Sequence, residues 1–147
     1  GQFNIQELRE TIRRSFAYEA TKYICARFKE LEKGAVLKTG DRCTIELNVQ
    51  DKPCEEGESV SVWLPPGKAQ ESSVILKVSI FARESDIQPG REIFWEIPSI
   101  GTPPSIVVQL TPRTPGKKRV AIDIAHGQTR LGRLKIALEV RGGDMDN

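Results

Sequence analysis

Histidine is nearly missing from this chain: His126 is the single imidazole in 147 residues. One imidazole excludes a histidine-based metal cluster, and any histidine-dependent catalysis would have to run through that one side chain. Cysteine is scarce as well. Cys25, Cys43 and Cys54 have none of the close spacings used by metal knuckles or redox dithiols, and an odd count argues against a disulfide scaffold. They are expected to be reduced thiols, with Cys43 a small core residue, Cys25 part of a helical pattern and Cys54 in a loop after Pro53. No apolar run approaches the roughly 18 residues of a membrane span, and no signal peptide precedes the first charges. The expected compartment is therefore cytoplasmic, with no membrane partner. Neither sign of charge dominates: 22 Lys and Arg stand against 20 Asp and Glu, a net charge of +2 that implies no polyanionic partner.

Other chemistries are missing too. There is no glycine-rich phosphate loop and no dinucleotide fingerprint. Ser59, Ser61 and the pair Ser72-Ser73 lack the Gly-x-Ser-x-Gly turn that would raise a serine into attack geometry. What the chain does have is 38% apolar residues distributed along its length, together with 12 Gly and 9 Pro. That composition fits one globular domain with many turns.

The first segment carries a helix-start signal, with Asn4 as N-cap, Glu7 closing a capping box and Phe3 set to staple against Leu8. Apolar residues then recur at Ile5, Leu8, Ile12, Phe16, Ala20, Tyr23, Phe28 and Leu31, before Gly34 supplies a stop. The spacing predicts one long amphipathic N-terminal helix. Unbroken from Ile5 to Lys33 it would be about 43 Å long, against about 26 Å for an eight-residue strand. Such an overhang requires a break near its middle, or a cover from a neighbouring domain or a second copy.

After Gly40 the period changes to 2. Cys43, Ile45, Leu47 and Val49 alternate with polar residues, and the pattern returns at 60–64, 74–80, 93–97, 106–110, 120–124 and 134–140. Turn residues separate these runs, at Pro65-Pro66-Gly67, Pro89-Gly90, Gly101 to Pro104, Pro115-Gly116 and His126-Gly127. The expected fold is mainly β, a seven-stranded antiparallel β-sandwich preceded by the helix, with a barrel as the other closure. The organisation read from this is a helical segment over 1–34, a sandwich over 41–141 and a flexible tail over 142–147. Ile75 and Phe94 fall on the outward phase, where the N-terminal helix is the expected cover.

Val78-Ser79-Ile80-Phe81-Ala82, Ile87-Gln88-Pro89, Ile97-Pro98, Leu110-Thr111-Pro112 with Gly116, Val120-Ala121-Ile122-Asp123-Ile124 and Leu131-Gly132-Arg133-Leu134 form a further pattern. Over about the last 65 residues it resembles a family of immunoglobulin-like β-sandwich modules in large bacterial, especially cyanobacterial, signalling proteins. There such modules neighbour caspase-like, CHAT, TIR or nucleotide-switch domains. The resemblance implies a non-catalytic module that connects or docks other domains, with no active-site residues to carry over.

The remaining constellations are few. Basic residues gather toward the C-terminal half, at Arg113, Lys117, Lys118, Arg119, Arg130, Arg133 and Lys135, while the aromatics Phe81, Phe94 and Trp95 are read as lying elsewhere. Without a stacking platform in the same patch, nucleic acid is not the expected partner. Glu55, Glu56 and Glu58 surround Gly57, and would need Asp41, Asp51 or Asp86 beside them to hold calcium. Trp63 precedes the stiff pair Pro65-Pro66, a combination that would present an aromatic to a partner, or that is simply packing where the helix or an adjoining sheet covers that face. The expected partner-binding residues are thus Trp63, Pro65, Pro66, Arg119, Arg130 and Arg133, with no catalytic, cofactor or metal residues.

The function expected from the sequence is a non-catalytic interaction or architectural module, not an enzyme. It would be a piece of a longer bacterial protein of signalling type, since the chain starts at Gly1 without an initiator Met. Its partners would be other domains of that parent or a separate protein, and a homodimer through the N-terminal helix is one arrangement. The alternative is a ligand-binding module of C2-like or carbohydrate-binding type, using the acidic loops, the basic face or an exposed Trp63.

Overall fold

The computed structural model describes residues 21–32, 36–55, 59–63, 73–98 and 103–142. The capping signal at Asn4 and Glu7, Pro65, Pro66, and the tail from residue 143 lie outside the described residues.

Among the described residues the chain forms ten strands: β1 (Thr21–Phe28), β2 (Leu37–Lys38), β3 (Cys43–Gln50), β4 (Ser59–Trp63), β5 (Ser73–Ala82), β6 (Ser85–Gln88), β7 (Glu92–Pro98), β8 (Ile106–Pro112), β9 (Gly116–His126) and β10 (Thr129–Arg141). They form two five-stranded sheets, ordered β4-β1-β3-β8-β6 and β2-β10-β9-β5-β7. All pairings are antiparallel except β2 with β10. One apolar core joins the sheets. Ile24, Phe28, Ile45, Leu47, Val108 and Leu110 come from the first, and Leu76, Ile80, Trp95, Ile122, Ile124 and Leu134 from the second. Each inward residue alternates with an outward one because successive Cβ atoms leave opposite faces of a pleated strand.

Two sequence expectations are corrected. The fold is not seven-stranded: each of the seven alternating runs is a strand, but β1, β2 and β6 are added to them. Nor does a long helix reach Lys33. From Thr21 to Phe28 the chain is β1, and among the described residues only the single turn α1 (Lys29–Glu32) is helical. The reason lies in pairing and in period. Within β1, Ile24, Ala26 and Phe28 alternate into the core while Tyr23, Cys25 and Arg27 alternate out, and β3 and β4 take up the backbone hydrogen bonds on both sides. The residues that would form the first half of the expected helix lie outside the described residues. Among the described residues no helix is long and apolar enough to cross a membrane.

The thiols also depart from expectation. Cys25 and Cys54 form a disulfide that fastens the loop after β3 to the outer face of β1. Cys43 is free and fully buried, as its inward phase predicts.

Candidate interaction site

The outer face of the β2-β10-β9-β5-β7 sheet gathers most of the surface chemistry. Strand register puts its side chains in rows. Arg133 of β10, Asp123 of β9, Ser79 of β5 and Glu92 of β7 lie side by side. One row along are Arg130, Ala125, Lys77 and Phe94. On the other side Lys135, Ala121 and Phe81 follow one another. Ile75 stands beside Glu96.

Large apolar side chains are left open here. Phe94 is 69% exposed, Ile75 55% and Phe81 52%. Ile75 and Phe94 thus take the outward phase the sequence predicts, and they are open; the first half of the helix expected to cover them lies outside the described residues. The guanidinium of Arg133 sits 5.9 Å from the Phe81 ring centroid, within cation–π range.

Charge is divided across the face. The β9–β10 side carries Lys117, Arg119, Arg130, Arg133 and Lys135, set against Asp123 and Glu139, whereas the outer face of the edge strand β7 carries Glu92 and Glu96. Asp123 accepts two hydrogen bonds from Arg133, one of them from Nη2 at 2.8 Å, and Arg130 approaches it at 3.4 Å. The Arg133 hydrogen bonds, reinforced by the charge of Arg130, hold the Asp123 carboxyl below its usual range. Lys77 reaches across to Glu92 at 3.5 Å.

Of the residues expected to meet a partner, Arg119, Arg130 and Arg133 all belong to this face. Trp63 ends β4 in the other sheet, with its backbone paired to Thr21, and its side chain lies outside the described residues along with Pro65 and Pro66. The expected separation of aromatics from the basic patch is corrected, because register seats Phe81 and Phe94 among the same basic residues. Phe81 and Phe94 are the residues that sequence reasoning missed. Their outward phase was readable within each strand, but the pairing that sets β5 beside β9 and β7 is a tertiary fact.

Among the described residues the acidic side chains make separate pairings, while Glu56 and Glu58 lie outside the described residues. Asp41 accepts the Lys38 amide at 3.1 Å, Asp51 pairs with Lys22, and Asp86 pairs with Arg113. Among the described residues no group of three or more His, Cys, Asp or Glu side chains is placed to hold a metal ion. His126 ends β9, half-buried at the hairpin where Gly127 takes a positive φ of 61°. Burial, with the negative charge of Glu30 nearby, pushes the Cys43 thiol up to about 12, so it is protonated and shielded at neutral pH.

The sequence matches no protein-family model and no curated protein.

Proposed function

We propose that the protein is a non-catalytic interaction module that docks its partner on the outer face of the β2-β10-β9-β5-β7 sheet. The observation that carries this reading is the placement of Ile75, Phe81 and Phe94, all more than half exposed, among opposite charges on one sheet face. Exposed apolar surface rimmed by polar groups is the usual composition of a docking site, and aromatic and arginine side chains dominate the energetics of such sites. A place in a larger bacterial signalling protein is part of the proposal and rests on the resemblance over residues 78–134. The Cys25–Cys54 bridge speaks for a compartment where thiols become oxidised, and so against the cytoplasmic placement read from the sequence.

A photo-crosslinking residue at position 94 tests the reading, with one at Val107 on the opposite sheet as control. A discrete, identifiable protein adduct is expected from position 94, lost when Phe81→Ser is added, and none from position 107. No adduct from position 94, or equal adducts from both positions, overturns it.

A further inference from the structure

We infer that the partner of this face is a second copy of the chain, related by a two-fold axis that runs along the strands between β9 and β5. The inference rests on the reading of the face as a docking surface and names its occupant.

An axis in that direction turns the second copy over and lays β10 upon the other copy's β7, and β9 upon the other's β5. Each row then faces its own reverse. In the first row Arg133 meets Glu92 and Asp123 meets Ser79. In the next, Arg130 comes over the ring of Phe94, and Lys77 comes over Ala125. In the third, Phe81 comes over the small side chain of Ala121. These pairs follow from the register alone. Every one of them occurs twice, as an isologous interface demands.

The unequal distribution of charge gives this axis its direction. A two-fold axis across the strands would set β10 on β10 and arginine on arginine, which like-charge repulsion disfavours. The axis along the strands sets Arg133 of β10 on Glu92 of β7 and brings Arg130 over Phe94, between Glu92 and Glu96. Those glutamates flank Phe94, whose 69% exposure leaves it the most open apolar side chain of the face. A polynucleotide stacking on Phe94 would meet the same two carboxylates, and the geometry favours a protein surface over it.

A charge exchange decides the matter, read by sedimentation of the 147-residue chain at concentrations up to about 100 μM, with circular dichroism confirming the fold. The wild-type chain is expected to be a dimer. Glu92→Arg alone sets arginine on arginine, and Arg133→Glu alone sets carboxylate on carboxylate, so each is expected to be a folded monomer with a dissociation constant raised on the order of tenfold or more. Mixed in equal amounts, the two variants carry opposite charges at both contacts, and the dimer is expected to return. If Arg133→Glu does not fold beside Asp123, the exchange is run in an Asp123→Asn background. A monomeric wild-type chain, variants that remain dimeric, or a mixture that remains monomeric overturns the inference. A monomer that still gives the position 94 adduct with a different protein removes the second copy and leaves the docking face standing.

Discussion

Two residues show how closely single side chains are specified. Gly132 sits at the β-bulge where β10 slips against β9, and a Cβ at that position would overlap the side chain of Val60 on β4 of the opposite sheet. Only a residue without a side chain lets the two sheets approach there. Gly132→Ala is therefore expected to cost about 1–3 kcal/mol, the range for overpacking a filled site. Urea unfolding measures the loss, and Val60→Ala in the same chain should restore much of it. An alanine tolerated without loss would mean that the sheets are not held at this separation. Asp123 makes an electrostatic counterpart. Because Arg133 holds its folded-state carboxyl below the ordinary value of 3.8, the pair adds stability that is fully present above that value. The contribution is lost as pH falls through the lower, folded-state value. For a partly exposed pair it amounts to at most about 1 kcal/mol. Asp123→Asn should thus be less stable than wild type at pH 7, and the gap should close on acidification below pH 4. Unfolding curves at several pH values check this, and a gap that widens toward acid would refute the assignment.

At the scale of elements, the loop between β3 and β4 is held by the Cys25–Cys54 bridge, whose two ends are 29 residues apart. Closing a loop of that length removes chain entropy from the unfolded state worth about 3–4 kcal/mol. Reduction should lower wild-type stability by about 2–4 kcal/mol and leave a Cys25→Ser/Cys54→Ser variant unchanged. A thiol-alkylation gel shift on protein taken directly from cells reports whether the bridge exists where the protein resides. This bridge was not readable in advance, since spacing along a chain does not say which cysteines meet. Seven strands were readable because each of their sequence runs has at least three apolar residues at period 2. By contrast β2, with two residues, and β6, with four, are too short to show a period. β1 was hidden for a different reason. Its Tyr23, Phe28 and the following Leu31 continue the three-to-five-residue steps begun upstream, and pairing with β3 and β4 overrides that local helical signal. The site was half legible: Arg119, Arg130 and Arg133 followed from charge counting, whereas Phe81 and Phe94 joined them only through register.

At the scale of the whole molecule, the two sheets share one core, and the chain passes between them repeatedly. β1 lies in one sheet and β2 in the other; β3 and β4 return to the first; β5, β6, β7 and β8 alternate between the two. Neither sheet can leave without exposing the apolar face of the other, so unfolding should be a single cooperative event. Cys43 is a built-in reporter for this. It starts β3, in the middle of its sheet, fully buried and with its thiol pushed up to about 12. A thiol reagent therefore reaches a reactive thiolate only when the core opens. With the disulfide intact and no reductant present, the Cys43 labelling rate should rise with urea at the slope of global unfolding, because labelling and unfolding expose the same surface. A clearly shallower slope would show that the β4-β1-β3-β8-β6 sheet opens on its own. The outer face of the other sheet would then be carried by a unit able to stay folded while its neighbour opens, and the single-core account of the fold would fail.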